Sequence, residues 1–345
     1  MKFKGAVLYE TNSDLVLEEL DTPELEKGQV LVKILYSGIC RAQVNEIKAH
    51  KGPDKYLPHT LGHEASGIVE EISEGVTKVK AGDYVVLTWI KGKGIDVPGC
   101  TYTNKDGKKI NSGAITTFNQ YSVISENRIV KIPKDVPPKV AALLGCAVPT
   151  GAGIVKNQLN AKENDSVAIF GIGGIGASAL LYAKAAGVNP LIAIDINAEK
   201  LDFAKECGAT HVINPNEIDV RKAIREIVPK GVDYSIDCAG ITEMIEAAFD
   251  VIKDTGTTIV AGNPAKGEKI QIVPFDLIKG KKIFGSWGGS AKTDEDIPYY
   301  AKLYLDGKLG IDKLISKEYP LFDINSALED LRAGKVVRAL INCQE

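Results

Sequence analysis

SVAIFGIGGIG, residues 166–176, is the stretch from which the fold is read. Five residues of strand character, SVAIF (166–170), run into GIGGIG (171–176), and a segment with helical spacing follows from about Gly174 to Ala186. Glycines at Gly171, Gly173, Gly174 and Gly176 let a backbone approach a pyrophosphate, whose charge meets the N-terminus of the helix. The next strand-like run, LIAID (191–195), ends on Asp195, 19 residues after Gly176. An acid there accepts hydrogen bonds from ribose hydroxyls and repels a 2′-phosphate. The pattern is a dinucleotide site that favours NAD over NADP.

Outward from this stretch the same rhythm continues. HVIN (211–214), VDYSID (232–237), TTIVAG (257–262) and KIFGS (282–286) read as strands, with helical patterns between most of them. Strands alternating with helices predict a doubly wound parallel sheet from about 150 to 285, an α/β fold. The first 150 residues differ, with short strands, turns such as EKGQ and KAGD, and few long helical patterns. A chain of 345 residues exceeds one comfortable core, so two domains are expected.

Composition narrows the function. A net charge of −3 gives no field for grasping nucleic acid or an anionic membrane, so neither is expected as a partner. The apolar run of MKFKGAVLYE stops at Glu10, too short for the hydrophobic region of a signal peptide. Residues 166–183 carry no charge, but their glycines mark a phosphate-binding turn rather than a membrane span. A cytoplasmic location is expected. The six cysteines show no compact disulfide framework, which leaves metal or core roles for them.

Three groups in the first half carry candidate chemistry. Cys40 follows the apolar run QVLVKILY (29–36), His63 and Glu64 lie in LGHEASGIVEEI (61–72), and Cys146 lies in LLGCAVPTGAG (143–153). Two soft thiolates and an imidazole suit zinc, and three protein ligands leave a fourth tetrahedral position open. Each also fits an ordinary role, a packed thiol or a turn-capping imidazole, and the residues alone leave both readings open. Cys207, Cys238 and Cys343 read as packing, and Cys100 stands alone in a loop. His50, His59 and His211 read as surface or capping residues without a partner for ligation.

Along essentially its full length the chain resembles the zinc-dependent alcohol dehydrogenases of the medium-chain dehydrogenase/reductase superfamily. The resemblance is carried by GHEASGIV with VKAGDYVV (79–86), by GCAVPTGAG, and by GIGGIG with Asp195. It implies a GroES-like, β-rich catalytic domain over 1–148 and 289–345. A Rossmann domain over 149–288 is inserted in it, and the active site lies in the cleft. It implies Cys40, His63 and Cys146 as catalytic zinc ligands, with Glu64 able to approach the metal. It assigns Arg41 and Arg338 to the cofactor pyrophosphate, Thr150 and Ile175 to the nicotinamide, and Lys200 to the ribose beside Asp195. Trp89 becomes an aromatic wall of the substrate pocket, although a core tryptophan competes with that role. The assembly implied is a homodimer or homotetramer, and the partner a small-molecule alcohol.

The chain departs from that pattern in two places. A structural zinc needs four closely spaced thiolates, and the segment after Trp89 holds Cys100 alone, so one catalytic zinc per subunit is expected. The proton relay is missing: Ala42 stands where the family has a hydroxyl, and Asn45 where it often has histidine. Gln43 replaces the usual aspartate, which leaves open what supports His63. The expected reaction is reversible oxidation of an alcohol, secondary and polyol-, sugar- or cyclitol-like, by hydride transfer to NAD. The alternatives are a zinc-free quinone or enone reductase on the same fold and a non-catalytic NAD-binding redox sensor.

Overall fold

The computed structural model describes residues 1–50 and 52–345, which divide into two compact units. One comprises Met1–Cys146, Lys292–Gly307 and Ile315–Glu345; the other comprises Ala147–Ala291 and Lys308–Leu314.

In the first unit, five short strands close a barrel, in the order Lys2–Leu8, Val16–Asp21, Thr101–Asn104, Lys109–Asn111 and His59–Thr60. A seven-stranded sheet accompanies it, and its central strand is Gln29–Gly38. That strand pairs antiparallel with Glu64–Ile72 along one edge, and with Tyr121–Ser125 and then Arg338–Asn342 along the other. Neighbours on both edges and packing on both faces account for its near-continuous apolar run. Val30, Val32 and Ile34 pack with Ala65, Val69, Val85, Leu87, Ala339 and Ile341 in one core. Each valine, leucine or isoleucine among them contributes about 1.5–3 kcal/mol when fully buried. The C-terminal strand thus belongs to the same core as the first 150 residues.

The second unit is a six-stranded sheet, parallel throughout. Its order is His211–Ile213, Leu191–Ile194, Val167–Phe170, Val232–Asp237, Ile252–Val260, Lys282–Gly285, with order reversing at the strand that precedes the glycine turn. VAIF and LIAI are buried at every position, as central parallel strands require. The helix after the turn runs Gly174–Ala185. The expected elements are present; the strand expected from 257 begins at Ile252, because Ile252 also pairs with Val232 before the register shifts. No helix among the described residues is long and apolar enough to cross a membrane.

Candidate metal centre and dinucleotide site

Strand register, rather than sequence proximity, builds the metal centre. Ser37 pairs with Ala65 and Leu340 with Gly38, so the ends of three strands meet on one level. Continuing these registers sets Glu64 opposite Gly38 and Arg338 opposite Cys40. Glu64 also pairs with Thr88, which brings Trp89 to His63; their rings lie edge to face, 6.5 Å apart at 69°. Cys146 arrives after the helix Pro138–Leu143, through a passage that only glycine fits. A Cβ on Gly145 would lie 2.2 Å from the Leu87 carbonyl oxygen and 2.7 Å from the Glu64 Cβ.

The ligand atoms of Cys40, His63 and Cys146 lie within 4.8 Å of one another. His63 Nε2 is 3.2 Å from Cys146 Sγ. Cys40 is held well below the usual thiol range by the Cys146 sulfur and by His63 and Arg338, against the effect of burial. Burial pushes the other thiols the opposite way: Cys100 and Cys238 upward, Cys207 to about 11, and Cys343 upward. A depressed thiol beside a second sulfur and an imidazole is a donor set that fits zinc. Cys100 instead donates to Ser112 Oγ at 3.4 Å, at the start of a barrel strand.

The structure also sets the surroundings of Arg338, Glu64, His59 and Gln43. Arg338 is 3% exposed and forms an ion pair with Glu64, which is fully buried. Burial lowers the guanidinium pKa and the Cys40 sulfur opposes that shift. Glu64 correspondingly serves Arg338, and Gly38 makes room for both: a Cβ there would lie 2.5 Å from Glu64 Oε1. His59 is buried, not on the surface, with Nδ1 2.9 Å from the Thr60 carbonyl oxygen and Nε2 2.7 Å from Asp54 Oδ2. With Glu46 it forms a second group of potential ligands, one without a thiolate. Gln43 retains a hydrogen-bond contact with His63, its amide nitrogen lying 2.5 Å from Nδ1. The Arg338–Glu64 and Gln43–His63 pairings carry no sequence signal, because each joins segments far apart in the chain, whereas Asp54 lies only five residues from His59.

The remaining candidates stand as follows. Arg41 is exposed at the first position of the helix Arg41–Ile47. In the second unit, Gly171 has φ +90, a conformation that favours glycine. A Cβ on Gly176 would lie 2.0 Å from the Gly171 carbonyl oxygen, so helix and strand meet there only because it has none. At Gly173 an added Cβ would meet nothing within 4 Å, so this face of the turn is open for a ligand. Gly174 and Ile175 begin the helix that follows. Asp195 accepts hydrogen bonds from the Ile172 and Asn197 amides at 2.7 and 3.0 Å. Lys200 sits in the first turn of the next helix, Ala198–Glu206. Thr150 is buried in the helix Ala147–Gly153 with its hydroxyl unpartnered. An open glycine turn, an acid held over it and an unsatisfied buried hydroxyl fit a dinucleotide.

Comparison with known proteins agrees with this geometry. Residues 26–134 match the alcohol dehydrogenase GroES-like domain, and residues 174–306 match the zinc-binding dehydrogenase domain. The chain belongs to the zinc-dependent alcohol dehydrogenases. It is 34% identical to alcohol dehydrogenase class-3 of Zea mays over 369 residues, covering 99% of this chain and 97% of that one. Among solved structures it resembles an alcohol dehydrogenase zinc-binding domain protein from Burkholderia ambifaria (TM-score 0.93, 30% identity, 99% of each chain). It also resembles benzyl alcohol dehydrogenase from Acinetobacter calcoaceticus (TM-score 0.91, 32% identity, 99% of each chain). Membership makes this chain an enzyme of alcohol oxidation dependent on zinc and a nicotinamide dinucleotide.

Proposed function

We propose that this chain reversibly oxidises an alcohol bearing a second hydroxyl beside the reacting carbon, with NAD as acceptor and one zinc held by Cys40, His63 and Cys146. The observation that carries the reading is the convergence of the ligand atoms of those three side chains within 4.8 Å of one another. Bound there, zinc supplies a Lewis acid for the alcohol oxygen and the dinucleotide accepts hydride. Trp89 walls the site beside His63, and Glu64 and Arg338 neutralise each other next to the ligands. The glycine turn, Asp195 and Lys200 take the pyrophosphate and adenosine ribose, with Arg41 as a further phosphate cation. A zinc-free reductase or a non-catalytic sensor leaves the retained ligand set without a role.

The domains we infer are 1–148 with 289–345 and 149–288; in the two compact units, residues 147–148, 289–291 and 308–314 fall with the dinucleotide unit instead. A cytoplasmic location accords with six free thiols. A homodimer or homotetramer accords with the unpaired edge strand Lys282–Gly285 and exposed apolar side chains around it.

The second hydroxyl follows from what Ala42 and Asn45 lack. They lie three apart on one helix, and neither titrates to pass a proton outward. A neighbouring substrate hydroxyl can supply the path. General acid–base help is worth about 10²–10⁴-fold, so the gap is measurable. The test compares a vicinal diol with its mono-ol counterpart, and with benzyl alcohol and ethanol, in the native enzyme and an Ala42→Ser/Asn45→His variant. The variant is expected to speed the mono-ol more than the diol. Equal gains for both, or fast native turnover of ethanol, would overturn the diol reading.

A further inference from the structure

We propose that Gln43 is a positioning residue whose amide must change partners when the metal site fills, so that zinc is held less firmly than it would be with an acid at this position. The proposal rests on the ligand set proposed above. Gln43 is 1% exposed, so water is not available to replace a partner it loses. Its Oε1 accepts from the Cys40 backbone N–H at 2.8 Å, and its amide nitrogen lies 2.5 Å from His63 Nδ1. A backbone N–H can only donate, which fixes the oxygen on the Cys40 side and the NH₂ on the His63 side. With that amide, His63 accepts at Nδ1 and carries its proton at Nε2, directed at Cys146 Sγ 3.2 Å away.

Metal ligation at Nε2 reverses this arrangement. The ligating nitrogen offers its lone pair, so the ring proton resides on Nδ1: one proton leaves Nε2, one is taken up at Nδ1, and the ring's charge is unchanged. Nδ1–H then faces the amide NH₂, donor against donor. Turning the amide over places Oε1 on Nδ1–H but sets NH₂ against the Cys40 N–H. A glutamine has one oxygen for two donors, and a buried donor without an acceptor disfavours whichever arrangement contains it. A carboxylate has an oxygen for each donor and would satisfy both with charge-assisted bonds. Cys40 is itself a ligand and caps the helix that carries Gln43, so the conflict couples metal occupancy to that helix start.

The experiment follows zinc release to a chelator from the native protein and from Gln43→Glu, together with ¹⁵N NMR of the His63 ring with and without zinc. Release is expected to slow at least about tenfold in Gln43→Glu. The native ring is expected to carry its proton at Nε2 without metal and at Nδ1 with it. Equal release rates overturn the proposal. So does a metal-free native ring already protonated at Nδ1, which is decisive even where the variant does not fold. Cobalt titration separates the underlying reading: absence of a thiolate-to-cobalt absorption band would refute the Cys40–His63–Cys146 ligand set itself, whereas a band with an unmoved proton refutes only the role of Gln43.

Discussion

Two backbone amides, those of Ile172 and Asn197, hold the Asp195 carboxylate over the glycine turn. A ribose hydroxyl arriving there meets an acceptor, and a 2′-phosphate meets a like charge. The kcat/KM for NAD⁺ is therefore expected to exceed that for NADP⁺ by at least about tenfold, roughly 1.4 kcal/mol. Asp195→Ser should narrow the gap, and initial rates with the two dinucleotides measure it; a native preference for NADP⁺ would contradict the assignment. The position of Asp195 was readable because it depends on local spacing from Gly176. The pairing of Glu64 was not: its partner Arg338 lies on a strand across Gln29–Gly38, and only the sheet brings the two together.

At the scale of elements, the carboxyl ends of the parallel strands gather the second unit's polar groups. Asp237 ends the central strand Val232–Asp237, fully buried, and accepts from the Ala239 and Gly240 amides at 3.1 and 3.2 Å. Burial pushes its pKa from 3.8 up to about 6, and those amides oppose the shift. The folded chain therefore binds more protons than the unfolded chain between about pH 4 and 6, and this group's contribution to stability falls as pH rises through that window. The full swing is on the order of 3 kcal/mol. Asp237→Asn, which does not titrate, should gain stability relative to the native chain from pH 4 to 7. Urea midpoints at the two ends of the range check this, and a constant difference would show that Asp237 does not titrate there. The strands themselves were legible, since continuous apolar runs ended by glycines specify buried parallel strands. Asp237's burial depends on loops 238–240 and 261–262: a Cβ on Gly262 would lie 2.4 Å from its Oδ2.

At the scale of the whole molecule, the edge strand Lys282–Gly285 and its surroundings expose Phe275, Ile278, Phe284 and Trp287, the last at 80%. An unpaired edge beside exposed aromatic and aliphatic side chains favours self-association. Light scattering after size exclusion is expected to give a multiple of the single-chain mass for the native protein, and a lower multiple for Ile278→Glu/Phe284→Lys. A native monomer would remove this surface from consideration as an interface between copies.

The sequence by itself determined the parallel sheet, the glycine turn and Asp195, because each depends on residues within one βαβ stretch whose periodicity is local. It also specified which thiol and imidazole residues were available, and resemblance to a family singled out three of them. Tertiary structure decided that Cys40, His63 and Cys146 converge, because residues 40, 63 and 146 meet only when the Gln29–Gly38 and Glu64–Ile72 strands pair and Gly145 admits the third segment. It decided equally that Arg338 turns inward to Glu64 and that Gln43 bridges Cys40 and His63. Long-range register sets those contacts, and no one-dimensional spacing encodes which residues across a sheet stand level with each other.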